Sequence, residues 1–166
     1  LQQDDYAQSV YNIASSPFAN RVTVHRADAL EYRYNKKYDV IVSNPPFYEN
    51  DLKGSATGKN IAHHDEGLKL PDLLNLIASQ LTVDGIFFLL LPQKRLADLQ
   101  LLMGNGSLFI NEIVFVHQTL NHDAFRIMLR GSFNESKPEA YKIIIKEGTD
   151  YSATFTRLLK DYYLYL

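Results

Sequence analysis

The sequence has no cysteine and no tryptophan, and it has no surplus of basic residues. Without cysteine, neither a disulfide nor a thiolate metal site can form. Lys and Arg number 17 against 19 Asp and Glu, which gives a formal net charge of -2 at pH 7. A nucleic-acid partner would have to be bound by a local basic patch, because the overall charge provides no attractive field.

Long apolar runs and targeting signals are also missing. No stretch reaches the roughly 20 apolar residues of a membrane-spanning helix, and the first residues do not resemble a signal peptide. The composition is otherwise that of a globular protein, with 46% hydrophobic and 22% charged residues. We therefore expect a cytoplasmic protein whose 166 residues form one domain or part of a larger one.

Hydrophobic periodicity predicts an alternation of helices and strands, followed by consecutive strands. The predicted elements are helix 3–14, strands 21–26 and 38–43, helix 70–81, strand 85–91, helix 94–103, strands 109–117, 125–131 and 141–146, and a helix within 151–166 that Asp150 or Ser152 caps. This order predicts an α/β fold with a mostly parallel sheet and an antiparallel C-terminal edge. Residues 48–69 are polar and glycine-containing, so we expect a functional loop there.

A four-residue motif, Asn44-Pro45-Pro46-Phe47, carries the most chemical information. It follows strand 38–43, which is apolar on both faces, as in a buried parallel sheet. Open α/β sheets bind their ligands at the carboxyl ends of such strands. The Asn44 side-chain oxygen and the Pro45 carbonyl can accept the two N–H groups of an amino group on a planar ring. Such a contact favours a pyramidal nitrogen and exposes its lone pair to an electrophile.

The other parts of the motif fit the same chemistry. The prolines hold the backbone so that the Pro45 carbonyl stays aimed, and preorganised acceptors stabilise developing positive charge. Phe47 offers a face on which an unpaired base can stack. The alternative is a structural turn in which Asn44 caps the turn and Phe47 enters the core. The buried strand before the motif and the polar loop after it favour the catalytic interpretation.

Asp28 follows the predicted strand 21–26 and is a second candidate binding residue. In dinucleotide-binding folds, a carboxylate at this position can accept a hydrogen bond from an adenine amino group. The backbone N–H of Ala29 can then donate to the neighbouring ring nitrogen. A solvated turn aspartate explains the sequence equally well, because Asp favours turns.

The polar loop and one strand offer further polar side chains. His63-His64-Asp65-Glu66 includes metal-ligand types, but adjacent residues seldom bind one ion, so we favour a solvated loop and expect no metal. Arg126 lies in an apolar strand and is expected to pair with RNA or with a carboxylate. The candidates for phosphate contacts, which a solvated loop explains equally well, are Lys53, Lys59, His63 and His64.

Over nearly its whole length the sequence resembles class I methyltransferases that act on amino groups. In particular, it is similar to the family that methylates an adenine N6 in the anticodon loop of valine tRNA. The segments that carry the likeness are Asn12-Ile13, Ser16-Pro17-Phe18, residues 24–28, residues 39–48, Tyr151-Ser152, Phe155, Leu158 and residues 162–164. Several amino methyltransferases share the four-residue motif, whereas the C-terminal segment points to this one family.

The resemblance implies a Rossmann-like class I methyltransferase fold with sheet order 3-2-1-4-5-7-6. It also implies S-adenosylmethionine as the cofactor and tRNA as the partner. Taken together, the residues and the resemblance predict Asn44, Pro45, Pro46 and Phe47 for catalysis, Asp28, Ala29 and Asn44 for cofactor binding, and Phe47, Tyr48, Lys53, His64 and Arg126 for substrate binding.

The sequence departs from the family in one respect. The family's glycine-rich cofactor loop, its ribose-binding acidic residue and its first two strands would all precede Leu1. The resemblance therefore implies that residues 1–166 are the C-terminal two-thirds of a methyltransferase domain lacking two strands. By themselves these residues are expected to bind cofactor poorly, to be inactive, and to expose strand edges that favour self-association.

Two alternatives to adenine methylation are compatible with the same residues: methylation of a different amino group, and binding without catalysis. Guanine N2 in ribosomal RNA and a glutamine amide in a protein each carry an amino group on a planar carbon, so the motif would serve either substrate. A non-catalytic binding module derived from a methyltransferase is the third possibility, which the missing glycine-rich loop favours if the natural chain begins at Leu1.

Overall fold

The structure is a computed structural model that describes residues 3–45, 68–104 and 106–163. The chain divides into two compact units, Leu1–Asn35 and Lys36–Leu166. The elements are helix α1 (Gln3–Ala14), strand β1 (Tyr38–Ser43), helix α2 (Leu70–Gln80), strand β2 (Leu81–Pro92), a 3₁₀ turn (Gln93–Arg95), helix α3 (Leu96–Gly104), strands β3 (Phe109–Thr119), β4 (Ala124–Ser132), β5 (Glu139–Glu147) and β6 (Asp150–Tyr151), and helix α4 (Ala153–Leu159). No helix in these ranges is long and apolar enough to cross a membrane.

The first unit confirms the predicted helix and contradicts the predicted strand. Helix α1 begins with two acidic residues, Asp4 and Asp5, which complement the positive end of the helix dipole. The expected strand 21–26 does not form, because residues 22–26 have no regular structure. A strand needs a neighbour to complete its hydrogen bonds, and the described part of this unit contains no other strand.

The second unit is built on a six-stranded sheet with the order β1-β2-β4-β3-β5-β6. Strands β1 and β2 are parallel, as are β3 and β5, whereas β4 and β6 run against their neighbours. Four strands therefore share one direction, and the antiparallel pairs lie towards the C-terminal edge, as the sequence predicts. The order of the first four strands also matches the 4-5-7-6 part of the implied sheet.

Strand β1 confirms the predicted strand 38–43, but the expectation that both of its faces are buried is wrong. Val40 and Val42 are exposed, whereas Ile41 packs against the core. The reason is that the helices α2 and α3 cover one face of the sheet only. Alternation along β1 then sends successive side chains to a covered and an uncovered face.

The hydrophobic core lies between this covered face and helices α2 and α3. The predicted stripe of α2 is buried at Leu70, Leu73, Leu74 and Ile77. Leu81 is buried as expected, although it begins β2 instead of ending the helix. The buried partners on the strands and on α3 are Phe87, Leu89, Leu91, Leu99, Met103, Ile113, Ile127 and Leu129.

The C-terminal helix is capped where the sequence predicts. The Ser152 hydroxyl accepts a hydrogen bond from the Phe155 N–H at 3.1 Å and donates one to the Ile144 carbonyl at 2.6 Å. The helix is shorter than expected, because Tyr151 belongs to β6 and stacks on the Phe155 ring, with ring centroids 5.2 Å apart. The cap therefore ties α4 to strand β5, which contains Ile144.

Substitution of Ile77 by alanine should lower the free energy of unfolding by about 2–5 kcal/mol, because it leaves a cavity in the core beneath α2. Equilibrium urea unfolding measures the change. Val83 on β2 is 75% exposed, so V83A is the matched control and should change the unfolding free energy by about 0.5 kcal/mol at most. Equal effects of the two substitutions would contradict this assignment of the core.

Candidate functional site

The first half of the four-residue motif lies at the carboxyl end of β1. Pairing with β2 continues as far as Ser43, which is opposite Leu89. Asn44 follows and is exposed, whereas Pro45 is buried. Proline has no N–H to donate to a ladder, so the strand ends here and the backbone leaves the sheet. The motif thus presents a polar side chain at the edge where open α/β sheets bind ligands.

A concave surface of about 410 Å³ adjoins Asn44. This volume lies within the range of sites for small planar ligands. Its lining residues are Val42, Ser43, Asn44, Phe88, Leu89, Leu90, Glu112, Val114, Met128, Leu129 and Arg130. The lining is mostly apolar, so the cavity favours an aromatic or aliphatic group beside the amide of Asn44.

The floor of the cavity includes one row of residues that crosses the sheet. Val42 is opposite Phe88, and Phe88 is opposite Arg130. Arg130 is in turn opposite Glu112, and the Arg130 Nε lies 3.7 Å from a Glu112 carboxylate oxygen. Both charged side chains are more than a third exposed, so the ion pair contributes little to stability. For the site, the ion pair means that the otherwise apolar floor of the cavity ends in two charged side chains.

Tyr141 on β5 lies beside this charged end. Its hydroxyl donates a hydrogen bond to the Glu139 carboxylate. That hydrogen bond, followed by the negative charge of Glu139, raises the pKa of Tyr141 above its ordinary value of 10.0. Glu112 raises the pKa further and Arg130 lowers it. Tyr141 therefore stays protonated and remains a hydrogen-bond donor at neutral pH.

Arg126 lies on the same edge of the sheet as Asn44. It is opposite Pro92 on β2 and Val116 on β3. Continuing the register of β1 by one residue brings Asn44 level with Leu90, two residues before Pro92. With two strand spacings between them, the Cα atoms of Asn44 and Arg126 are about 12 Å apart. Arg126 is thus outside the cavity lining but within reach of a ligand larger than one base.

Asp28 and Ala29 belong to the first unit, where they form a turn. The Asp28 carboxylate accepts a hydrogen bond from the Leu30 N–H at 2.8 Å, and its carbonyl accepts from the Tyr32 N–H at 2.9 Å. The Ala29 carbonyl accepts from the Tyr34 hydroxyl at 3.1 Å. This geometry is that of the turn aspartate allowed by the sequence. A carboxylate has a second oxygen, so Asp28 retains an acceptor for a ligand.

The other expected site residues lie outside the described residues. They are Pro46, Phe47, Tyr48, Lys53 and His64, together with Lys59 and the segment His63-His64-Asp65-Glu66. Within the ranges that the structure does describe, no group of three or more His, Asp or Glu side chains could hold a metal ion.

Two features of this sheet edge were not expected from the sequence. One is the ion pair between Glu112 and Arg130. Its signal was present, since the predicted hairpin carries one acidic residue and two arginines within apolar strands, but the register of the hairpin decides which of them meet. The other is a shift in that register near Phe125, for which the sequence has no local signal.

The sheet order and the polar carboxyl end of β1 define a class I methyltransferase fold. A solved structure from Agrobacterium tumefaciens, described as a predicted O-methyltransferase, matches with a TM-score of 0.64 and 16% identity. The match covers 96% of this chain and 74% of that one. At this identity the likeness shows the fold alone. No family model matches the chain.

Relatives of known family extend the comparison beyond the fold. A tRNA1(Val) (adenine(37)-N6)-methyltransferase from Parabacteroides distasonis is 34% identical over an alignment of 168 positions, which covers 99% of this chain and 71% of the relative. A protein of the same name from Pseudoalteromonas translucida is 30% identical over 165 residues, again 99% and 71% of the two chains. The chain belongs to the tRNA1(Val) (adenine(37)-N6)-methyltransferase family.

Proposed function

We propose that this protein transfers a methyl group from S-adenosylmethionine to the exocyclic N6 of an adenine in the anticodon loop of a valine tRNA. Membership of the family supports the substrate. The observation that carries the chemistry is the exposed Asn44 beside a mostly apolar cavity at the carboxyl end of β1. A protein with this role works in the cytoplasm, where tRNA is modified.

Asn44 and Pro45 act on the amino group of the substrate. The N6 lone pair of adenine is delocalised into the ring, which makes the nitrogen a poor nucleophile. The Asn44 side-chain oxygen and the Pro45 carbonyl accept the two N–H groups, so that the nitrogen becomes pyramidal and its lone pair is exposed. Pro45 is buried, and its ring restricts the backbone that carries this carbonyl. The surplus proton leaves to water after transfer, so no general base of high pKa is required.

S-adenosylmethionine, when bound, supplies the activated methyl group. The residues that we assign to its adenosine are Asp28 and Ala29, with Asn44 beside the transfer site. The donor set fits an adenine, because a carboxylate oxygen accepts from its amino group while a backbone N–H donates to its ring nitrogen. Asp28 is exposed and uses one of its two oxygens within its turn.

Recognition of the RNA requires further residues. We assign Phe47 and Tyr48 to the target base and Lys53, His64 and Arg126 to the RNA around it. Arg126 has support from its place at the same sheet edge, about 12 Å from Asn44 by strand geometry. An arginine at this distance suits a phosphate that flanks the reacting nucleotide.

The chain corresponds to most of a methyltransferase domain. We propose that residues 1–166 form the C-terminal two-thirds of that domain. The aligned parts make up 71% of the two relatives, which agrees with this division.

Incubation of the full-length gene product with labelled S-adenosylmethionine and unmodified bulk tRNA tests the function. Digestion to nucleosides should place the label in N6-methyladenosine, because the relatives are named for adenine N6 methylation. Ribosomal RNA and a release-factor protein serve as competing substrates. Label in guanosine or in glutamine, with none in tRNA adenosine, would refute the proposed substrate.

Replacement of Asn44 by alanine in the same full-length protein should lower turnover by several orders of magnitude, since one of the two N–H acceptors is lost. Affinity for the cofactor, measured by calorimetry, should fall much less. N75A is the matched control, because Asn75 is an exposed asparagine on α2 and should leave turnover unchanged. Near-normal turnover of N44A would remove Asn44 from the mechanism.

Self-association of residues 1–166 is a separate part of the proposal. The uncovered face of the sheet carries exposed apolar side chains, and β1 is the first strand in the order of the sheet. The exposed residues on this face are Val40, Val42, Phe88, Met128 and Tyr141. An exposed edge and an apolar face of this kind favour pairing between copies.

Sedimentation velocity of residues 1–166 should show an average mass that rises with protein concentration. Val42 is 73% exposed, and V42K should shift the equilibrium towards monomer because it places a charge on the apolar face. Leu120 lies in the β3–β4 turn and is 70% exposed, so L120K is the control and should not shift it. A monomer at all concentrations would exclude self-association.

A further inference from the structure

The β3–β4 hairpin carries a β-bulge at Phe125. Val116 is opposite Arg126, whereas the next residue, His117, is opposite Ala124. One step along β3 therefore corresponds to two steps along β4, and Phe125 is the additional residue without a partner. Bulges of this kind turn a side chain away from its regular position and are frequent beside active sites.

The same hairpin has a second bulge, whose additional residue is held by hydrogen bonds within the protein. Asn111 on β3 is the additional residue there, and it is buried. Its amide nitrogen donates to the Asn134 carbonyl and to the Ser136 hydroxyl, both at 2.8 Å. Its amide oxygen accepts from the Ser132 hydroxyl at 2.8 Å. Every polar atom of the Asn111 side chain is thus hydrogen-bonded to the end of β4 or the segment after it, which accounts for that bulge.

No such packing accounts for the bulge at Phe125. The phenylalanine is 46% exposed, although a large aromatic ring gains most by burial. It is also absent from the hydrophobic core cluster and from the residues packed against it. An exposed aromatic side chain on a bulge is available to a ligand.

The turn that precedes Phe125 is held by side-chain hydrogen bonds. The His117 Nδ1 atom lies 2.8 Å from the His122 carbonyl, and the His122 Nδ1 atom lies 2.6 Å from the Thr119 hydroxyl. The His122 N–H donates to the Thr119 carbonyl at 3.3 Å. Because the turn is fixed at several points, the backbone that leads into Phe125 is held in place.

Strand direction puts this turn at the same sheet edge as Asn44. Strands β1, β2 and β3 share one direction, so their carboxyl ends meet at one edge, and the turn begins at the carboxyl end of β3. Phe125 is two strands and about three residues away from the level of Asn44. The two Cα atoms are therefore about 14 Å apart, which is the length of about four stacked nucleotides.

We propose that Phe125 stacks on a base of the tRNA loop that flanks the adenine presented to Asn44. This inference rests on the proposed function, since it assumes an RNA loop at this edge. Unpaired bases in RNA loops are recognised mainly by stacking on aromatic side chains. Phe125 is thus a substrate-positioning residue, which fixes the loop while Asn44 and Pro45 hold the reacting amino group.

Fluorescence of 2-aminopurine tests the contact directly, because stacking quenches it. Anticodon stem-loop RNAs carry the probe at one loop position at a time, outside the target adenine, and are titrated with the full-length protein. Wild type should quench the probe at one position. F125L should abolish that quenching and weaken RNA binding about five- to hundredfold, whereas F125W should restore both.

Three further measurements separate stacking from other effects. F125L should raise the KM for tRNA with little change in kcat, and its thermal unfolding midpoint should match that of F125W. L120A, which removes an exposed side chain from the same turn, should leave binding unchanged. Unaltered binding and quenching by F125L, or equal weakening by L120A, would overturn the inference.

The same experiments distinguish this inference from the proposed function. If wild type methylates tRNA and F125L binds the RNA and quenches the probe as wild type does, the proposed function stands and the contact is refuted. Quenching that depends on Phe125, without any methyl transfer to tRNA, would support the contact and refute the function.

Discussion

The parallel pairing of β1 with β2 is the constraint on which the proposed site depends. The buried side chains of β2 fix its orientation against α2, and the ladder then fixes β1, with Ser43 opposite Leu89. A slip of one residue would exchange the covered and uncovered faces of β1. It would also move Asn44 along the edge by about 3.3 Å, which is too far for a preorganised hydrogen bond to a reacting amino group.

The one-sided covering of the sheet decides what the cavity is made of. Helices α2 and α3 bury one face, and the other face supplies Val42, Phe88 and Met128 as an apolar floor. Such a floor binds a flat ring without ordering it by hydrogen bonds. In the proposed function, orientation comes from the motif, whose two acceptors at the carboxyl end of β1 would select an amino group.

The sequence correctly predicted those elements that depend on only a few neighbouring residues. Examples are the apolar stripe of α2, the cap at Ser152 and the strand before Asn44. The strand expected at 21–26 failed, because a strand also depends on a partner elsewhere in the chain. The bulge at Phe125 and the meeting of Glu112 with Arg130 depend on the register of two strands, which composition and periodicity do not determine. The expected roles of Asn44 and Arg126 remain proposals that the sheet edge supports.

The proposed stacking on Phe125 would connect the fold with RNA recognition by 166 residues whose formal net charge is -2. A protein that binds RNA through phosphates alone needs many basic side chains, and its affinity comes from released counterions. Stacking needs no basic side chains, because every base offers an apolar face. The bulge at Asn111 ties β3 to the end of β4 and the segment after it, whereas the bulge at Phe125 leaves an aromatic ring exposed at the edge that carries Asn44. An anticodon loop, whose bases are unpaired, is the kind of RNA that such an edge can hold with few charges.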